Sequence, residues 1–100
     1  MKTELVGKYV IVRCRDAGVH AGVLVAHEGR EATLKDSRRL WYWKPAAGKK
    51  FLSGVAIAGL DKTSKIGATL PLLHLTETCE LILCTEAATA SISQVPEDEE

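Results

Sequence analysis

The residue types best suited to ligand chemistry are concentrated in one short run, Arg38-Arg39-Leu40-Trp41-Tyr42-Trp43. This run holds both tryptophans and one of the two tyrosines of a 100-residue chain. Trp and Tyr combine a flat apolar face with a polar edge, and Arg offers a planar cation that pairs with phosphate and stacks on rings. Together they suit a ligand that is flat at one end and anionic at the other, such as a nucleotide. The alternative is a core strand whose tryptophans fill the interior.

Side chains of an extended 38–44 segment alternate between two faces. One face then carries Arg39, Trp41 and Trp43, and the other carries Arg38, Leu40, Tyr42 and Lys44. Each face mixes apolar bulk with a cation. This pattern predicts a strand that is used on both faces, one against the core and one at a subunit contact or a pocket.

We expect an arginine of this run to bind phosphate and a tryptophan to stack on a base, with a histidine or phenylalanine from elsewhere completing the pocket. The predicted ligand-binding residues are His20, Arg38, Arg39, Trp41, Trp43 and Phe51.

The spacing of the histidines and cysteines does not support a catalytic site or a metal-binding site. His20 and His27 differ in parity along one predicted strand, so they point to opposite faces. The cysteines (14, 79 and 84) are odd in number and lack a C-x-x-C spacing, which argues against a zinc site or a disulfide framework and predicts buried thiols. The sequence therefore predicts no metal, no cofactor and no enzymatic activity.

The charge is balanced overall but unevenly distributed. Residues 1–50 carry 11 Lys and Arg against 5 Asp and Glu, whereas residues 51–100 carry 2 against 8. This asymmetry favours an anionic ligand, or head-to-tail contact between subunits of a homo-oligomer. A DNA- or RNA-binding domain is normally basic overall, so we expect no nucleic-acid partner.

Length and hydropathy predict a single cytoplasmic domain over residues 1–95, followed by a disordered acidic tail over 96–100. No apolar run approaches the length of a membrane span and the start lacks a secretory signal, so no membrane partner is expected.

The elements that must position these residues are mostly strands. Runs rich in β-branched and aromatic residues predict strands over 8–14, 19–27, 30–35 and 38–44. Asp36-Ser37 is a brief interruption, so that 38–44 is either a fourth strand or a continuation of the third. A hairpin closes at Glu28-Gly29, and Gly22 indicates a bulge or a close backbone approach.

Pro45 ends this strand pattern. A loop runs to residue 50, and 51–60 favours a short helix capped by Ser53, although a strand stays open as an alternative. A loop over 61–67, strands over 70–75 and 80–84, and a helix capped by Thr85 and running to about 93 complete the chain. The predicted fold is α+β and mostly β: an antiparallel meander of about five to six strands with one or two short helices.

Four segments resemble one family of small phage-encoded proteins. They are Gly18-Val19-His20-Ala21-Gly22-x-Leu24, Gly29-Arg30-Glu31, Asp36 to Trp43, and Cys84-Thr85-Glu86-Ala87. The pattern is similar to that of the anti-Thoeris sponge family (Thoeris anti-defence protein one), with the Arg-Arg-Leu-Trp-Tyr-Trp run as its most specific part. The chain departs from that family over residues 44–53.

The resemblance implies a non-enzymatic homo-oligomer that sequesters a cyclic nucleotide-type immune signal, such as a cyclic ADP-ribose isomer, in the host bacterial cytoplasm. It carries Arg38, Arg39, Trp41 and Trp43 over as family-motif positions. Two other functions stay open: a phage structural or protein-interaction module with a Trp-rich oligomer interface, and a small hydrolase of nucleotide signals.

Overall fold

A computed structural model describes residues 4–98 as one antiparallel sheet with two helices. The strands are β1 (Tyr9–Cys14), β2 (Val19–Glu28), β3 (Glu31–Tyr42), β4 (Lys65–Ile66), β5 (Leu70–Leu75) and β6 (Thr78–Leu83). The helices are α1 (Leu52–Ala58) and α2 (Glu86–Gln94). These elements confirm the predicted class, which was α+β and mostly β with about five to six antiparallel strands and one or two short helices.

The first three strands form the predicted meander, and the later strands extend it at both edges. β6 pairs with β1, which gives the order β4-β3-β2-β1-β6. The other edge of β3 is shared: its first half pairs with β5 and its end pairs with β4. β3 therefore has neighbours along both edges, and it carries the whole Arg-Trp run except Trp43.

Each face of the sheet contributes to a hydrophobic core, and neighbouring residues of a strand point to opposite faces. The face covered by α1 and α2, here the helix face, holds a core of Ile11, Ala21, Leu40, Leu52, Val55, Ala56, Leu60, Ile66, Cys84, Ala88 and Ile92. The second core lies on the opposite face and comprises Val10, Val12, Cys14, Leu24, Ala32, Leu34 and Leu75. Alternate residues of β1 thus enter different cores.

The pairing of β2 with β3 contains a bulge at Gly22, as the sequence indicated. Ala21 pairs with Arg38 and Val23 with Lys35, so the single residue Gly22 faces an extra residue of β3. A Cβ atom at Gly22 would lie 2.9 Å from the Cα atom of Ser37, so no larger residue fits without a backbone shift. The predicted interruption at Asp36-Ser37 is therefore a bulge inside one continuous strand.

Two local expectations are corrected. The helix predicted over 51–60 is present, but its N-cap is Phe51 rather than Ser53, and the Phe51 side chain makes no capping bond. The loop predicted over 61–67 contains the short strand β4, whose two residues are too few to leave a sequence pattern. The start of α2 matches the prediction, with Thr85 as its N-cap.

The acidic tail is tied to the sheet in its described part. Glu97 forms a parallel bridge with Ile66, and the Asp98 amide donates a hydrogen bond of 2.9 Å to the Ile66 carbonyl. The disorder predicted for residues 96–100 is therefore not found at Glu97 and Asp98. Residues 99 and 100 lie outside the described residues. No helix within residues 4–98 is long and apolar enough to cross a membrane.

Candidate ligand-binding site

Arg38 lies on the helix face and is committed to the fold. Its residue is 6% exposed, and its guanidinium donates to three backbone carbonyls: Gly67 at 2.9 Å, Ile92 at 3.1 Å and Val95 at 2.6 Å. Burial lowers the pKa of Arg38, which Tyr9 and Glu97 partly offset. The cation thus lies at the C-terminal end of α2, where carbonyls lack helical partners.

Arg39 lies on the opposite face and is exposed. No hydrogen bond or ion pair engages its guanidinium within residues 4–98. Its backbone carbonyl accepts a hydrogen bond of 2.8 Å from the Gly67 amide, next to β4. Of the two adjacent arginines, Arg39 is therefore the one whose donors are available to a ligand.

Trp41 is the extra residue of a second bulge, this one between β3 and β4. Leu40 pairs with Ile66 and Tyr42 with Lys65, which leaves Trp41 without a cross-strand partner. Its side chain is 59% exposed, and the Lys65 ammonium lies 5.5 Å from the centroid of its ring. Bulges redirect side chains, which explains why an indole faces solvent here.

Arg39, Trp41 and Lys65 define a surface that we call the β3–β4 patch. It combines an exposed aromatic ring, a cation over that ring and a free guanidinium two residues away along β3. A lysine over an indole is attracted by the ring quadrupole. The patch therefore offers a stacking surface and two positive charges in one place.

His20 lies under this patch and is almost completely buried. It pairs with Arg39 across β2 and β3, and it is 1% exposed. Its Nε2–H donates to the Ala17 carbonyl at 2.9 Å, and its buried Nδ1 has no hydrogen-bond partner. Burial lowers the pKa of His20; the bond to Ala17 opposes this shift, and the Arg39 charge adds to it.

The lowered pKa of His20 predicts a pH-dependent stability. The unfolded chain binds a proton on this histidine near pH 6.5, whereas burial opposes protonation in the folded chain. The contribution of His20 to the free energy of unfolding is therefore fully present above that pH and is lost as the pH falls below it. Urea denaturation between pH 7.5 and 5 should show this decline, and His20→Gln should make it shallower. Equal pH slopes for the two proteins would contradict the assignment.

The remaining predicted residues do not join the patch. Trp43 is half-buried and packs against the core of the helix face, so it lies on the side opposite Arg39, contrary to the predicted alternation. The alternation fails because β3 ends at Tyr42, after the bulge. Phe51 is 75% exposed at the start of α1, which packs on the helix face, whereas Arg39 lies on the opposite face. The structure thus brings together His20, Arg39 and Trp41.

Lys65 is the patch residue that sequence reasoning missed. It lies in a segment predicted as a loop, and only the pairing of β4 with β3 places it over Trp41. No spacing or motif in the sequence signals this contact.

A concave surface lies away from the β3–β4 patch, between β1, β6 and α2. This cleft has a volume of about 560 Å³ and is lined by Lys8, Tyr9, Leu83, Cys84, Glu86, Thr89 and Ala90. Burial raises the pKa of both Tyr9 and Cys84 in it to about 12. None of the predicted site residues lines this cleft, whereas Trp41 of the β3–β4 patch is exposed to solvent.

No group of three or more His, Cys, Asp or Glu side chains among residues 4–98 is arranged to hold a metal ion. The side chains of the patch offer a stacking surface on Trp41 and charge pairing with Arg39 and Lys65.

A family model described as "Domain of unknown function (DUF6948)" matches residues 7–92 of the chain. The chain belongs to this family. The match includes all three residues of the β3–β4 patch and the buried His20. The family description names no ligand or activity, and no curated protein and no solved structure matches the chain.

Proposed function

We propose that the protein is a non-enzymatic binder that sequesters a small anionic nucleotide-type ligand on the β3–β4 patch. The observation that carries the proposal is the exposed Trp41 ring with Lys65 over it and the unengaged Arg39 beside it. The ligand class we favour is a cyclic ADP-ribose isomer or a cyclic oligonucleotide. Its capture would counteract a bacterial anti-phage defence, as the resemblance to anti-Thoeris sponges implies.

The energetics of the patch suit this ligand class. Stacking of a base on an aromatic side chain contributes roughly 1–3 kcal/mol. A guanidinium pairs with phosphate through two parallel N–H donors, which adds orientation as well as strength. Arg39 has these donors free, whereas the donors of Arg38 are bonded to carbonyls. The proposal therefore assigns phosphate binding to Arg39 and stacking to Trp41.

A homo-oligomer forms part of the proposal. Small-molecule sites are usually concave and bury most of the ligand surface. Arg39 and Trp41 are exposed within one chain, so a second copy is expected to cover the ligand from its other side. The opposite net charges of residues 1–50 and 51–100 favour a head-to-tail contact of this kind.

Isothermal titration against cyclic dinucleotides and cyclic ADP-ribose isomers tests the proposal. We expect one class to bind, and Trp41→Ala and Arg39→Ala each to weaken its affinity by roughly 10- to 100-fold. The matched control is Arg13→Ala, since Arg13 is also exposed but lies on the helix face and pairs with Glu80 at 2.8 Å. Its affinity should equal that of the wild type.

Two results would overturn this function. Equal losses in the Arg13 and Arg39 variants would mean that general charge, and not the patch, attracts the ligand. Recovery of a cleaved product after denaturing the complex would place the protein among enzymes, whereas intact ligand supports sequestration.

A second candidate function is a structural or protein-interaction module. The observation that favours it is a set of exposed large apolar side chains, which on a monomer often indicate a contact surface. They include Trp41, Tyr42, Phe51, Ile57 and Leu72. Native mass spectrometry of Arg39→Ala separates the two functions: a sponge loses its ligand and keeps its assembly, while an interface protein dissociates.

A further inference from the structure

The cysteines of β1 and β6 come together at an irregularity in their ladder. Arg13 pairs with Glu80, but Cys14 pairs with Thr78, so Cys79 is the extra residue of a bulge. In a bulge, two residues of one strand lie opposite a single residue of the other. Cys14 therefore faces both Thr78 and Cys79. Directly opposed residues of antiparallel strands have Cα atoms about 4.5–5.5 Å apart, which is within the range that a disulfide spans.

The two thiols differ in their access to solvent. Cys79 is exposed and lines a cleft of about 290 Å³ together with Arg15, Arg30, Glu77 and Thr78. Cys14 is 8% exposed and belongs to the core of the opposite face. Burial raises the pKa of Cys14, the neighbouring Cys79 raises it further, and Arg39 lowers it. An accessible thiol beside a buried one is the arrangement of an attacking and a resolving cysteine.

We propose that Cys14 and Cys79 form an oxidation-sensitive pair, which closes to a disulfide between β1 and β6 when the exposed thiol meets a peroxide. Both thiols are free in the reduced protein described above. This modification site shares no residue with the β3–β4 patch.

The reaction balances in two steps with hydrogen peroxide as the oxidant. The Cys79 sulfur attacks one peroxide oxygen, so that an S–O bond forms, the O–O bond breaks and water leaves with the thiol proton. The Cys14 sulfur then attacks the Cys79 sulfur, an S–S bond forms, the S–O bond breaks and a second water leaves. The thiol pair gives up two electrons, which reduce the peroxide.

Cys84 provides a matched control, because it is also buried but belongs to the core of the helix face. It follows β6 directly and so is close to Cys79 in sequence, whereas the sheet separates it from Cys14. A bond that formed by sequence proximity alone would involve Cys84. A bond that formed through the bulge would not.

Intact-mass spectrometry of the full chain treated with hydrogen peroxide tests the proposal. We expect a loss of about 2 Da that a reductant reverses, and a linked pair of peptides that contain Cys14 and Cys79. Cys84→Ala should show the same loss. Cys79→Ser, at an exposed position that leaves both cores intact, should show none.

Three outcomes would overturn the pair. They are stepwise gain of oxygen on Cys79 with Cys14 still alkylatable, a bond from Cys79 to Cys84 or to a second copy, and no mass change in the wild type under peroxide.

Discussion

Replacement of Arg38 by Met is expected to lower the free energy of unfolding by about 3 kcal/mol, since hydrogen bonds to a charged donor are among the stronger ones. The methionine fills the space but leaves the carbonyls of Ile92 and Val95 without their shared donor. It also removes the link between β3 and the end of α2. Urea denaturation followed by circular dichroism measures the change.

Arg39→Met is the control for this prediction, because it alters the neighbouring residue of the same type. The Arg39 side chain is exposed and bonds to no described group, so its replacement should change stability by less than about 0.5 kcal/mol. Ligand affinity should show the reverse order, with a larger loss in Arg39→Met than in Arg38→Met. Comparable destabilisation by both substitutions would mean that the carbonyl contacts of Arg38 contribute little.

Replacement of Gly59 by Ala is the second large effect, again about 3 kcal/mol of destabilisation. Gly59 ends α1 with φ 90° and ψ −158°, a conformation that is essentially restricted to glycine. A Cβ atom there would also lie 2.3 Å from the Cβ atom of Ser91 on α2, so the helices would have to separate. Ser91 could not move freely, because its hydroxyl accepts a hydrogen bond of 3.0 Å from the Leu60 amide.

Gly67→Ala separates this steric cost from a general effect of losing a glycine. The nearest atom to a Cβ at Gly67 would be 3.9 Å away, and its backbone is not in the left-handed region. This variant should be as stable as the wild type. Thermal denaturation of both variants checks the difference, and similar melting temperatures would contradict the packing argument.

Much of the fold could be predicted from the sequence, because local patterns determine most of its elements. The β-branched runs located β1 and β2, Gly22 located the bulge, and Thr85 located the start of α2. β4 could not be predicted, since its two residues form a strand only because they pair with β3. The place of β6 beside β1 was equally hidden, because a pairing between distant segments leaves no local trace.

The site was predictable in part and for the same reason. Alternation along β3 correctly separated Arg38 from Arg39, but it could not say which of them would be buried. That depended on α2, whose terminal carbonyls Arg38 satisfies. The exposure of Trp41 follows from a bulge against β4, and Trp43 turned towards the helix face once the strand had ended.

The position of β1 in the sheet has a consequence for biosynthesis. Among the strands of this sheet, β1 is the first to leave the ribosome, yet one of its two neighbours is β6, the last of them to be made. The nascent chain therefore carries an incompletely paired, strongly apolar segment until residues 78–83 have emerged from the exit tunnel. Such late closure slows folding, and it makes β1 the segment that a chaperone would hold during translation.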